Sequence, residues 1–127
     1  MLEATRLCDG LLDLDGFERI WVLYAFHRTE FRGLQVVPYR DTIPPGIFAT
    51  RAPARPNPIG MSCVRLLGIR GHRLEIGEVD ILDGTPILDI KPYIPEYDAY
   101  PAARAGWVEA DAVRRGPRVA DERFEKA

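Results

Sequence analysis

Arg51 and Arg55 stand in a run stiffened by proline, Thr50-Arg51-Ala52-Pro53-Ala54-Arg55-Pro56-Asn57-Pro58-Ile59-Gly60. Proline fixes φ and removes a backbone donor, so the stretch is expected to be neither a helix nor a central strand. A loop held this way loses less entropy when it binds a ligand. Its two guanidinium forks suit a carboxylate or a phosphate. Asn57, set between Pro56 and Pro58, carries an amide that can read an adenine or carboxamide edge. Taken alone, the run also fits a rigid surface turn.

A second cluster follows at Val79-Asp80-Ile81-Leu82-Asp83-Gly84-Thr85-Pro86-Ile87-Leu88-Asp89-Ile90-Lys91-Pro92-Tyr93. With a strand period of two, Asp89 and Lys91 share one face while Leu88 and Ile90 take the other. A carboxylate, an ammonium and nearby Tyr93 make a candidate polar site. The competing reading is a surface ion pair on a half-exposed sheet. His27 lies just past an apolar strand, where a structural or exposed role is the commoner one. His72 falls in an expected turn and is given no role. The two histidines, with Cys8 and Cys63, show no metal-ligand spacing, so no metal is expected. No Ser/His/Asp or Cys/His nucleophilic set converges from the sequence.

These groups need elements to place them. Residues 4–15 read as a short helix with Leu7, Leu11 and Leu14 at helical spacing. Residues 18–26 (Glu-Arg-Ile-Trp-Val-Leu-Tyr-Ala-Phe) read as a buried strand. Residues 27–46 hold Gly33, Pro38, Pro44, Pro45 and Gly46, which predicts loop. A short strand is expected over Gly46–Thr50. Strands at 61–70 and 73–79 are joined at Gly71-His72 as a hairpin. Asp83-Gly84 makes another turn, leading to a strand at 86–91. From Trp107 to Ala127 the chain is a charged tail with a short helix.

Strands joined by short turns favour an antiparallel sheet over alternating βα units. The fold class is therefore mainly β, an antiparallel sheet or a small antiparallel β-barrel with short peripheral helices, in one domain of 127 residues. The Gly-x-Gly-x-x-Gly strand-to-helix turn is absent, which excludes a Rossmann site. No apolar run reaches bilayer length, no signal peptide is visible, and the two cysteines form no disulfide framework. A cytoplasmic protein without a membrane partner is expected. The formal net charge is -2. Six arginines (Arg28, Arg32, Arg40, Arg51, Arg55, Arg65) face two acids (Glu30, Asp41) between residues 27 and 65. This locally basic stretch on an acidic chain can receive a phosphate backbone or another anion.

Phe48-Ala-Thr-Arg51-x-Pro-x-Arg55-Pro-Asn57-Pro-Ile-Gly60-Met-Ser, followed by Asp80-x-Leu-Asp83-Gly-Thr-Pro-x-Leu-Asp89-Ile-Lys91-Pro-Tyr93, resembles the TsaA-like family, also called YaeB or TrmO. The likeness runs from about Gly16 to about Asp98, the core of the domain. It implies a small β-barrel methyltransferase that works as a homodimer, needs no metal and uses S-adenosylmethionine. The implied acceptor is N6 of threonylcarbamoyl-adenosine at position 37 of tRNA, beside the anticodon. By position, the family's cofactor contacts fall on His27, Arg28, Arg51, Met61, Val79, Asp80, Ile81 and Leu82. Family members carry a longer segment before the equivalent of Gly16, including a first strand and a Pro-Arg-Gln-Pro-Gly loop near the cofactor. A shortened N terminus is therefore expected here.

The N6 atom of that acceptor is a poor nucleophile, because its lone pair is drawn into the carbamoyl group. A general base would help, and Asp89 and Asp80 are the candidates. Lys91 and Tyr93 complete the expected catalytic set. Arg55 and Asn57 are expected to face substrate, with Arg55 or Lys91 clamping the threonyl carboxylate. Tyr93 or Phe48 can stack on adenine or face the sulfonium. Two alternatives share these residues: a methyltransferase for a small metabolite or another RNA, and a shortened relative that binds a nucleotide or partner without turnover.

Overall fold

Ile20, Val22 and Tyr24 alternate with Arg19, Trp21, Leu23 and Ala25, and that period of two decides the architecture. In the computed structural model, which describes residues 8–27, 33–34 and 45–110, the first set is buried and the second half-buried along β1 (Arg19–Ala25). β2 (Ile59–Arg70), β3 (Arg73–Gly77) and β4 (Ile87–Pro92) complete an antiparallel sheet of order β3-β2-β1-β4. The mainly β class is as the sequence indicates. The expected barrel is corrected: among the described residues the sheet is open, with β3 and β4 at opposite edges. Closing a sheet requires those edges to tilt and meet, which takes more strands than these four supply.

β1 sits centrally, with Ile20 opposite Val64, Val22 opposite Ser62 and Tyr24 opposite Gly60 on β2. On its other side Val22 faces Ile90 of β4. The core gathers Ile20, Val22, Tyr24, Val64 and Leu14, with Leu11, Phe17, Leu66, Ile76 and Ile90 among those packed against it. Each fully buried aliphatic side chain here stabilises the fold by about 1.5–3 kcal/mol. Bulges shift the register at Leu23/Tyr24 against β4 and at Leu66/Gly68 against β3. The β2–β3 turn passes through Gly71 at φ +61, a left-handed conformation that glycine adopts without a Cβ penalty.

Three local expectations change. The helix at 4–15 is instead two 3-10 turns, Cys8–Leu11 and Leu14–Gly16, with residues 4–7 outside the described residues. Gly10 and the polar Asp9, Asp13 and Asp15 favour tight turns over a continued helix. The strand at Gly46–Thr50 is a 3-10 turn, Ile47–Ala49. Thr50 explains it, because its hydroxyl and its backbone N–H both donate to Ile47 O, at 2.9 and 3.1 Å. The proline run, finally, gives up its last two residues to β2, since Ile59 and Gly60 follow Pro58 and keep their ladder donors. Beyond β4, α1 (Pro95–Asp98) is one helical turn, and residues 107–110 are helical. The rest of the expected tail, 111–127, lies outside the described residues. Among these residues no helix is long and apolar enough to cross a membrane.

Candidate functional site

A hollow of about 810 Å³ opens where β1 ends and β2 begins, beside the arginine loop. β1 and the residue pair after it contribute Tyr24, Ala25, Phe26 and His27. The 3-10 turn and loop contribute Phe48, Thr50, Arg51, Pro53 and Arg55. Gly60 and Met61 come from β2, and Asp80, Ile81 and Leu82 from the segment after β3. Ala105, Trp107 and Val108 form the remaining wall. A smaller hollow, about 480 Å³, adjoins it and shares Arg51, Met61 and Asp80, adding Val79, Ser62, Cys63, Trp21 and Glu78.

The loop is fixed from within. Arg55 Nη1 donates to Thr50 O at 3.0 Å and to Ala52 O at 2.9 Å, the two carbonyls that flank Arg51. Ala52 N donates to Thr50 Oγ1 at 3.2 Å, and Trp107 Nε1 donates to Ala49 O at 2.7 Å. Arg55 is therefore half-buried and engaged with its own loop, while Arg51 is exposed on the rim. Arg55 lines the larger hollow while its Nη1 is engaged by the loop.

Among the described residues, Asp80 is the one carboxylate lining the larger hollow. Its Oδ1 accepts from Ser62 Oγ at 3.0 Å, and Ser62 Oγ lies 2.9 Å from Tyr24 Oη. A serine hydroxyl has one hydrogen, so with that hydrogen on Asp80 the tyrosine is the donor in the second bond. Upstream of this segment, Glu78 holds a left-handed backbone at φ 58 and pairs with Arg19 at 2.5 Å. That bond raises the Arg19 guanidinium above its already high value.

Among the expected cofactor contacts, His27, Arg51, Met61, Asp80, Ile81 and Leu82 converge on the larger hollow, and Val79 lines the smaller one. Arg28 lies outside the described residues. The residues of the expected catalytic set lie in two places, Asp80 at the hollows and the others on or just past β4. Asp89, Lys91 and Tyr93 line neither hollow. Lys91 Nζ reaches Asp89 Oδ2 at 3.2 Å on the exposed edge strand, and that pair with Ile90 N holds the Asp89 carboxyl below its ordinary value. The physical reason is strand order: Asp89 and Lys91 pair with Leu23 and Trp21 on β4, on the opposite side of β1 from β2, whose Met61 lines both hollows. Tyr93 packs edge-on against Trp21, with centroids 5.7 Å apart. Asn57 is also outside both linings; it is exposed, and its backbone carbonyl accepts from Ile59 N at 2.8 Å.

Tyr24, Ser62 and Trp107 were not singled out by motif. Period two does hold a signal for the first two, because Ile20-Val22-Tyr24 and Gly60-Ser62-Val64 each line one strand face and bring two hydroxyls together. Trp107 has no such signal. Among the described residues no group of three or more His, Cys, Asp or Glu comes together that could hold a metal ion.

Among the described residues the cleft is lined largely by apolar side chains, rimmed by arginine and histidine, and carries one oriented carboxylate. The chain belongs to the tRNA-methyltransferase O N-terminal domain family, whose model matches residues 2–99. It is 52% identical over 116 residues to a probable S-adenosyl-L-methionine-binding protein of Pyrococcus abyssi, covering 91% of this chain and 63% of that one. It is 38% identical over 123 residues to the tRNA (adenine(37)-N6)-methyltransferase of Escherichia coli, covering 87% of this chain and 50% of that one. The crystal structure of TrmO from Pseudomonas aeruginosa aligns with a TM-score of 0.66 at 40% identity, over 84% of this chain and 45% of that one. The chain thus spans about half, and at most 63%, of the length of these relatives. Ala105, Trp107 and Val108 fall past the matched family domain.

Proposed function

We propose that this protein binds S-adenosylmethionine in the larger hollow and methylates N6 of threonylcarbamoyl-adenosine at position 37 of tRNA. The observation that carries the reading is the convergence of His27, Arg51, Met61, Asp80, Ile81 and Leu82 on one hollow. The volume, about 810 Å³, lies within the range of small-molecule and cofactor sites. Met61, Ile81 and Leu82 give apolar surface for the purine, and exposed Arg51 offers a fork to the amino-acid carboxylate. When bound, S-adenosylmethionine supplies an electrophilic methyl on a sulfonium, which departs as a neutral thioether as the nitrogen takes the methyl.

The chain's own residues do the rest. Arg55 and Thr50 keep the loop, and so Arg51, in place. Asp80 Oδ2 takes the acceptor N–H proton, since Oδ1 already accepts from Ser62. Phe48, 75% exposed on the rim, offers a ring for the splayed base. Position 37 lies in a single-stranded loop, so no duplex has to open. The same reading takes the protein to be a cytoplasmic homodimer.

Calorimetric titration with S-adenosylmethionine, followed by labelled-methyl transfer to tRNA with and without the threonylcarbamoyl group, tests the proposal. Binding and transfer to the modified tRNA alone are expected. Binding with no transfer to any tRNA would overturn the acceptor assignment, and no binding would overturn the whole reading.

A further inference from the structure

Asp80 sits on an exposed segment between β3 and β4 that has no regular backbone hydrogen bonding of its own. An aspartate in such a place samples several rotamers, and ordering it costs entropy each time it is used. Here it is not left to sample. Ser62 Oγ donates to Asp80 Oδ1 at 3.0 Å from the central ladder of the sheet, and Tyr24 Oη stands 2.9 Å behind Ser62. Tyr24 is itself buried and fixed, by an edge-on contact with Phe26 at 5.5 Å and by the bare α-carbon of Gly60 beneath its ring. The constraint therefore runs from the core outward, through two neutral hydroxyls, to one carboxylate at the mouth shared by both hollows.

We propose that Tyr24 and Ser62 are positioning residues that lock Asp80 with Oδ1 occupied and Oδ2 turned to the acceptor nitrogen. The proposal rests on the methyl-transfer reading above. Neutral donors suit this job. They orient the carboxylate and leave its charge in place to receive a proton. Among the described residues, the charged or titratable groups that line the hollows with Asp80 are Arg51 and Arg55 of the loop, His27 after β1, and Glu78, which is paired with Arg19. None of these is altered by changing Ser62 or Tyr24.

The experiment compares the full chain with its Ser62→Ala, Ser62→Thr and Tyr24→Phe variants in two readouts. One is the split between kcat and KM in methyl transfer to the modified tRNA. The other is the carboxyl carbon-13 NMR signal of Asp80 without any substrate, which reports whether the group holds one environment or samples several. Ser62→Ala is expected to change the Asp80 signal and to lower kcat about 10–100-fold, the scale of a displaced catalytic group, with the KM for tRNA kept. Ser62→Thr keeps a hydroxyl and should restore both readouts. Tyr24→Phe should move them in the same direction by less. If kcat and the Asp80 signal are unmoved in Ser62→Ala, the positioning role is overturned while methyl transfer stands. If the Asp80 signal changes in Ser62→Ala but the parent protein transfers no methyl, the hydroxyl lock stands and the proposed reaction fails.

Discussion

The ring of Tyr24 lies across the bare α-carbon of Gly60, so close that a β-carbon there would stand 2.4 Å from Tyr24 Cε2 and 2.6 Å from Cζ. Phe26 Cζ would be 2.8 Å away on the same side. Gly60 to Ala therefore overpacks a site whose neighbours are ring atoms backed by the core. The expected cost is about 1–3 kcal/mol of stability, read as a lower urea midpoint with unchanged slope. Gly68 to Ala is the control, because its β-carbon would meet only Glu75 Oε2, at 3.5 Å. Equal midpoints for the two variants would refute the argument.

Arg55 is expected to act on ligand binding through Arg51. Removing its guanidinium unties Thr50 O and Ala52 O together. Hydrogen bonds from a charged group are worth about 1.5–3 kcal/mol each at best, and partial exposure lowers that. Arg55→Ala should weaken S-adenosylmethionine binding and impair transfer to the modified tRNA, while Arg55→Lys should recover little, since an ammonium lacks the planar fork. Calorimetry decides the point. An Arg55→Ala protein with unchanged cofactor affinity that loses only the preference for threonylcarbamoyl-adenosine would return Arg55 to a purely substrate-facing role.

Strands were readable from sequence because β-branched and aromatic residues in period two leave a local trace, and β1 to β4 fall close to where that trace puts them. The arginine loop was readable because its prolines forbid alternatives. What could not be read was which polar residues share a space. Asp80 and Asp89 look alike in sequence, and only their places in the sheet separate them: Asp89 pairs with Leu23 on the edge strand beyond β1, while Asp80, just past β3, reaches Ser62 on β2. Sheet closure was also beyond reach, since it depends on how edge strands meet, not on the pattern within any one of them.

Lys91 carries the clearest test of that separation. Its ammonium bonds Asp89 Oδ2 at 3.2 Å, with both side chains well exposed. Exposed pairs of this kind contribute little to stability. Lys91→Ala and Asp89→Asn are each expected to leave the methyl-transfer rate and the cofactor affinity unchanged. A collapse of kcat in either variant would place the reaction on β4 and remove it from the hollow.

Asp98 predicts an acid-side change in stability. Its Oδ2 accepts from Ile94 N at 2.9 Å and from Trp21 Nε1 at 3.1 Å. The Ile94 bond first, and then the Trp21 bond, hold the carboxyl below its ordinary value of 3.8, against a small opposing effect of burial. A carboxyl lowered on folding stabilises the fold above its unfolded value and loses that contribution as the pH falls through the folded one. Asp98→Asn should therefore be less stable than the parent at neutral pH. The gap should narrow once the pH drops below 3.8. Asp89, lowered in the same direction by Lys91 and Ile90, is present in both proteins and cancels. Urea unfolding across the acid range reads the difference, and a gap that stays constant with pH would dismiss the Asp98 contribution.

Trp107 links the segment beyond the matched family domain to the arginine loop. Its indole Nε1 donates to Ala49 O at 2.7 Å, one residue before Thr50, and its ring lines the larger hollow with Ala105 and Val108. Two effects can be separated by substitution. Trp107→Phe keeps an aromatic wall and removes the bond to the turn, so S-adenosylmethionine affinity should fall about tenfold or less, the scale of one hydrogen bond. Trp107→Ala also removes the wall and admits water, so its affinity should fall further. The parent protein adds an optical readout, because a ligand seated against the indole should change its emission. Trp21→Phe isolates that signal, since the sequence has only two tryptophans. If Trp107→Ala binds S-adenosylmethionine as tightly as the parent and the emission does not respond to ligand, the C-terminal segment is no part of the site.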